Sequence, residues 1–198
     1  MVEEASIWYR ILVIAPPFAF AVILHEVAHG WVAERLGDPT ARQAGRISLN
    51  PIVHVDWMLT VALPAMLIFF GSPIVFGGAK PVPVDPRYFF NPRRGMLWVA
   101  LAGPVTNFVL AGGSFLLLLG GVLTLGLPED PNIFLEWLRF SILINLVLGI
   151  FNLIPIPPLD GGRIAVGLLP LSLAKNWAKL ERFGLIIVVL LWWVFLNL

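Results

Sequence analysis

Leu24-His25-Glu26-Val27-Ala28-His29-Gly30 carries the pattern His-Glu-x-x-His directly behind an uncharged apolar run, Ile11 to Leu24. On a helix, His25 and His29 lie one turn apart on the same face. Two neutral imidazoles at that spacing can both reach one zinc ion. Glu26 is then placed to take a proton from a water that the metal activates. Three fixed positions in five also arise by chance on solvated helices. Ionisable groups at membrane depth, however, are costly and usually functional, which favours the metal reading. The same stretch predicts a long first membrane helix over Ile7 to Leu36, kinked at Pro16-Pro17, with the motif near one end.

Composition agrees with a membrane setting. Of 198 residues, 59% are hydrophobic and only 13% charged, and the mean hydropathy is +0.89. A soluble domain is far less apolar. The expected organisation is a single domain over 1–198, all-α, built as a polytopic helical bundle. A net charge of +1 with scattered basic residues gives no nucleic-acid signal. Cysteine is absent, so disulfides, thiol nucleophiles and thiolate-bound metals are excluded and any metal must be held by His, Asp or Glu. Glu3 and Glu4 replace the basic start of a cleaved signal, so the first apolar run is expected to be retained.

Outward from the motif, Gly37 to Asp56 is a polar connection punctuated by Gly37, Pro39, Gly45 and Pro51. His54 and Asp56 close it, as further metal or substrate contacts or as ordinary interfacial polar groups. Trp57 to Phe70 is apolar but short for a span and contains Pro64, which predicts a re-entrant hairpin over 57–79. The β-branched and aromatic residues of Gly71 to Val84 suggest a short β-like edge, and Pro81 and Pro83 suit only an unpaired one. Such an edge could pair with an extended peptide; the alternative is a plain interfacial loop. Met96 to Leu127 is a second long apolar run. Within it Gly103, Gly112 and Gly113 would permit close helix contact. Asn107, the strong polar group of that run, is either interhelical glue or a site residue. Phe140 to Phe151 predicts a third span, and Phe183 to Leu198 a last one, making about four full transmembrane helices.

Between these last spans, Pro155, Pro157 and Pro158 break the helix ahead of Asp160-Gly161-Gly162. A carboxylate between apolar runs is a natural third zinc ligand, and the two glycines would let the backbone approach a ligand; the alternative is a structural turn Asp before Gly-Gly. A short helix is expected over Ile164 to Pro170. The regions 35–46, 80–94 and 163–182 are basic, while the N-terminus and the 128–136 turn are acidic. With a hairpin at 57–79, all the basic regions fall on one face, which the positive-inside rule makes cytoplasmic. The expected protein is multi-pass in the plasma membrane, with the site toward the cytoplasm.

His25-Glu26-Val27-Ala28-His29, Ala102-Gly103-Pro104-Val105-Thr106-Asn107 and Asn152 through Pro155-Ile156-Pro157-Pro158-Leu159-Asp160-Gly161-Gly162 occur in that order. With them the chain resembles the site-2 proteases, zinc metalloproteases that cut substrates within the membrane. Gly37-Asp38-Pro39-Thr40, Gly45-Arg46-Ile47-Ser48-Leu49-Asn50-Pro51 and Ala79-Lys80-Pro81-Val82-Pro83-Val84 resemble the compact prokaryotic branch, which has no PDZ or CBS domain. The resemblance runs from about Ile11 to Arg163. It implies one zinc per chain held by His25, His29 and Asp160, with Glu26 as catalytic base. It also implies that Asn152 helps hold the substrate or its oxyanion, a role to which Asn107 is a further candidate. The implied substrate is a membrane protein or transmembrane peptide in the bilayer. Two competing functions use the same residues: a membrane metal transporter and an adaptor that binds substrate helices without cutting. Neither accounts for an intact His-Glu-x-x-His as directly.

Overall fold

A computed structural model describes residues 7–70, 77–126, 132–184 and 186–187. In chain order its helices are α1 (Ile7–Arg35), α2 (Thr40–Gln43), α3 (Leu63–Phe69), α4 (Pro92–Leu125), α5 (Ile133–Asn152), α6 (Asp160–Leu168) and α7 (Leu171–Ala178). Single 3-10 turns fill Pro51–His54, Pro86–Tyr88 and Lys179–Phe183, and a wide π turn, Trp57–Ala62, leads into α3. That wide turn has a local cause. Pro64 has no N–H to offer the Thr60 carbonyl, so the ladder is broken just where α3 starts. Asp56 satisfies the exposed end of the turn by accepting from the Met58 and Leu59 amides.

Ile11–Arg35, Pro92–Thr124 and Ile133–Asn152 are long and apolar enough to cross a membrane. The expected bundle of about four spans is thus represented by three among the described residues. The fourth falls almost wholly on 185 and 188–198, outside them. Central α4 packs on α5, α1 and α6, and α1 also packs on α5. Where lipid would lie, Phe115, Leu116, Leu117 and Leu123 of α4 stay exposed. Polar groups inside the bundle find partners across helices, as a medium without water requires. Pro16 cannot donate to the Leu12 carbonyl of α1; the indole N–H of Trp137 on α5 donates to it instead, at 2.9 Å. Ser114 of α4 and Ser141 of α5 share a hydrogen bond of 2.8 Å.

The expected β-like edge is corrected in one respect. Residues 77–85 run without helix, but no strand forms among the described residues. Pro81 and Pro83 remove two main-chain donors, and the remaining groups bond elsewhere than to a partner strand. Gly78 N–H donates to the Leu59 carbonyl at 3.0 Å, and Lys80 N–H to the His54 carbonyl at 2.8 Å. The Thr60 hydroxyl donates to the Gly78 carbonyl at 2.6 Å. These bonds bring residue 78 back beside residues 59 and 60. The tip of the expected hairpin, 71–76, lies outside the described residues.

Helix α6 begins earlier than the expected Ile164, at Asp160 itself. Gly161 and Gly162 explain the fit. A Cβ on Gly161 would strike the Leu153 and Ile154 carbonyls, and one on Gly162 would strike the backbone at Pro157. The paired glycines let α6 start hard against the turn that follows α5, rather than leaving room for a ligand. At the other end of α6, the Arg93 guanidinium donates to the Val166 carbonyl at 2.8 Å and to the Leu169 carbonyl, binding α6 to the start of α4.

Candidate metal centre

His25 and His29 are buried on the α4 side of α1, and Asp160 is buried at the first position of α6. Their ligand atoms all lie within 4.8 Å of one another, the only such group of three among the described residues. The Nε2 atoms of His25 and His29 are 3.0 Å apart. Asp160 Oδ2 is 3.1 Å from the first and 3.3 Å from the second. Gly103 admits this cluster. A Cβ there would come within 2.5 Å of His25 Nε2 and 2.6 Å of His29 Nε2. Gly112 and Gly113, also expected at a helix contact, have nothing within 4 Å of an added Cβ.

The far sides of the imidazoles determine what the near sides can do. His29 Nδ1 lies 2.7 Å from the Val99 carbonyl, a pure acceptor, so Nδ1 carries the proton. His25 Nδ1 lies 2.6 Å from Asn107 Oδ1 and is likewise placed to donate. In its neutral form each ring then directs an Nε2 lone pair inward. Buried Asp160 Oδ2, although close to both nitrogens, accepts no hydrogen bond. In that form two nitrogens and one carboxylate oxygen converge with no proton between them, an arrangement that a cation relieves. The donor set fits zinc, which takes His and Asp ligands and uses three protein ligands at catalytic sites.

These residues line a cavity of about 210 Å³ that also exposes Glu26, Asn152, Arg163, Pro81, Val82 and Val84. Glu26 Oε2 accepts from the Val82 N–H at 3.0 Å, tying the motif to the extended segment. The Asn152 amide donates to the Leu148 carbonyl one turn back, at 3.0 Å, while the side chain borders the cavity. Asn107 is placed differently. It is 0% exposed and stands behind His25, bonded also to Asn145 Oδ1 at 2.8 Å. His54 and Asp56 are not in the cluster. Buried His54 bonds the Ser48 carbonyl at 2.8 Å through Nε2, and Asp56 caps the turn leading to α3.

Sequence reasoning gave no role to three contributors, although Asp38 and Arg46 stand in stretches that resemble the family. Asn145 is a lone amide in the apolar run of α5, a signal of the same kind as Asn107. Buried Arg46 donates from Nη2 to the Lys80 carbonyl. Asp38, also buried, accepts from the Asp85 N–H at 2.7 Å and from Thr40. The last two contacts join distant stretches and leave no local pattern.

The model of peptidase family M50 matches residues 13–136 and 119–195. The protein named "Putative zinc metalloprotease YwhC" of Bacillus subtilis is 38% identical over 85% of this chain and 74% of its own length. Rip2 of Mycolicibacterium smegmatis, named in the same way, is 34% identical over 91% of this chain and 66% of its own. "Zinc metalloprotease MJ0392" of Methanocaldococcus jannaschii is 29% identical over 80% of this chain but only 34% of its own. No solved structure matches.

Proposed function

Because the chain belongs to peptidase family M50, we propose that it is a zinc-dependent intramembrane endopeptidase acting on transmembrane segments of other membrane proteins. The observation that carries this reading is the convergence of His25 Nε2, His29 Nε2 and Asp160 Oδ2, buried together at helices apolar enough to span a bilayer and open to one cavity shared with Glu26. His25, His29 and Asp160 would hold one zinc. Bound there, zinc would supply Lewis acidity, bringing the pKa of a water toward neutrality and polarising a peptide carbonyl.

The chain's own residues supply the rest. Glu26 is anchored at Oε2 by the Val82 amide, and its other oxygen is the one left to take a proton from the attacking water. Later it returns that proton to the leaving amine. Asn152, at the cavity wall, is placed to hold the scissile carbonyl as charge develops on its oxygen. A substrate helix conceals its carbonyls in its own hydrogen bonds and has to unwind before it can be cut. The extended run Pro81 to Val84 along the cavity offers a template on which an unwound stretch can be straightened.

The return of residue 78 beside residue 59 supports a re-entrant hairpin over 57–79, and with it an active site facing the cytoplasmic side of the plasma membrane. Cysteine labelling tests this: a cysteine at position 88 should react from the cytoplasmic side, and reaction only from outside would make 57–79 a full crossing. The function itself is tested in liposomes carrying a single-span peptide substrate. Cleavage should stop on chelation, return with zinc, and be absent with no bound zinc in Asp160→Ala. Chelator-insensitive cleavage would refute the metal mechanism. Zinc uptake into the liposomes without cleavage would identify a transporter.

A further inference from the structure

Behind His25 a chain of buried amides runs away from the metal cluster across two helix interfaces. His25 Nδ1 meets Asn107 Oδ1 at 2.6 Å. Asn107 Nδ2 donates to Asn145 Oδ1 at 2.8 Å and, more weakly, to the Ala21 carbonyl at 3.4 Å. Asn145 Nδ2 donates to the Ser141 carbonyl at 2.9 Å and to the Ser141 hydroxyl at 3.2 Å. Asn107 is 0% and Asn145 1% exposed, so neither can turn to water.

The polarity of this chain is fixed from its far end. A main-chain carbonyl can only accept. If the Asn145 amide were reversed, its oxygen would face the Ser141 carbonyl at 2.9 Å, acceptor against acceptor. Asn145 must therefore present Oδ1 to Asn107. Asn107 must answer with Nδ2, a choice that the Ala21 carbonyl reinforces. Only Oδ1 of Asn107 is then left for His25, so the proton sits on Nδ1 and the Nε2 lone pair points at Asp160 and His29. His29 needs no such chain, because the Val99 carbonyl holds its Nδ1 directly.

We propose that Asn145 is a positioning residue for the metal: through Asn107 it sets which nitrogen of His25 carries the proton and so keeps Nε2 free to coordinate. This rests on the metal-centre reading above. With Asn145 replaced by an apolar residue, the Asn107 NH2 keeps only its 3.4 Å contact with Ala21. The amide can then reverse and offer its NH2 to His25, which favours the tautomer protonated on Nε2. That tautomer cannot bind the ion.

The chain has only three histidines, so ¹⁵N spectra of the metal-free protein in nanodiscs can be assigned with His29→Asn and His54→Asn. Wild-type His25 should show an unprotonated Nε2. N145L should show a mixture of tautomers and bind zinc about 10–100-fold more weakly, the usual cost of losing an outer partner of a metal-bound His. N145D restores the polarity, since a buried carboxyl group can accept from Asn107 while its O–H donates to Ser141; it should bind zinc within a few-fold of wild type. Thr124→Ala, which removes a hydroxyl bonded to the Gly120 carbonyl within α4 and away from the amide chain, should change neither readout. A wild-type His25 protonated on Nε2 would overturn the proposal. So would N145L binding zinc like wild type, or N145D binding as weakly as N145L, which would reduce the role to packing. Should N145L fail to fold, the wild-type tautomer and N145D still decide. A wild type that binds no zinc would refute the metal centre itself, and the tautomer measurement would still test the amide chain.

Discussion

His25 and Val82 line the same cavity, but they are held there in different ways. The wall containing His25 is helical, and side chains from α4 and α5 fix its ring from behind inside the apolar bundle. The wall containing Val82 has no regular structure. It is held through its main chain by the 37–60 stretch: Asp38 accepts from the Asp85 N–H, the His54 carbonyl accepts from the Lys80 N–H, and Arg46 donates to the Lys80 carbonyl. One wall therefore specifies side-chain chemistry at a metal. The other specifies the path of a backbone, which is what an extended partner reads. The Glu26–Val82 bond spans the two. Damage to the first wall should reduce metal binding, and damage to the second should reduce substrate use with the metal retained.

The largest effect is expected at Gly103. A side chain there must displace both imidazoles, and overpacking of this kind costs about 1–3 kcal/mol in stability. Gly103→Val should lose zinc and cleavage together, read by metal content of the purified protein. Full zinc content in that variant would show that α4 does not define the metal wall.

Arg46→Ala should separate the two walls. The guanidinium is buried and bonded to the segment's carbonyls. Its loss lets the segment drift, and a displacement of about 1 Å can cost about 10²-fold in rate. Zinc content should stay at wild type while kcat/KM falls by up to about that factor. Loss of zinc in step with activity would mean that the walls are not independent.

The smallest effect is expected at Asp85, outside the spans. The Arg87 guanidinium beside it, with the Arg87 N–H, holds its carboxyl below the ordinary carboxylate range. A depressed folded-state pKa gives stability that is present above the unfolded value and lost as pH falls through the folded one. Asp85→Asn should therefore slightly lower the melting temperature at neutral pH and flatten the acid limb, the variant and wild-type profiles converging as the pH falls. Arg87 is exposed, so the change should be small and should fade in high salt.

The metal wall was largely legible because its signals are local and chemically rare. His25, Glu26 and His29 share one helical turn, Asp160 follows a run of prolines, and the three described spans announce themselves by apolar length. Asn145 could have been singled out by the same reasoning as Asn107 but was hidden in a strongly apolar helix. The segment wall was legible as a non-helical run but not in what holds it. Its bonds join Asp38 to Asp85 and Arg46 to Lys80, across 47 and 34 residues, and main-chain acceptors carry no sequence identity. Gly161 and Gly162 misled for a related reason. A glycine reports that something comes close, and here the approaching group is the chain's own turn at 153–157 rather than a ligand.

The division of labour at the cavity is tested most directly by Glu26→Gln, with bound zinc and cleavage measured on the same preparation. Gln retains an oxygen for the Val82 N–H and nearly the same volume, and loses only the group that accepts the proton. The expected result is one zinc per chain, as in wild type, with hydrolysis of the single-span substrate reduced by roughly 10²-fold or more. Cleavage at the wild-type rate would show that Glu26 is not the base. Loss of zinc from the Gln variant would place Glu26 in the coordination of the metal or in its support, and would contradict the separation of ligands from base.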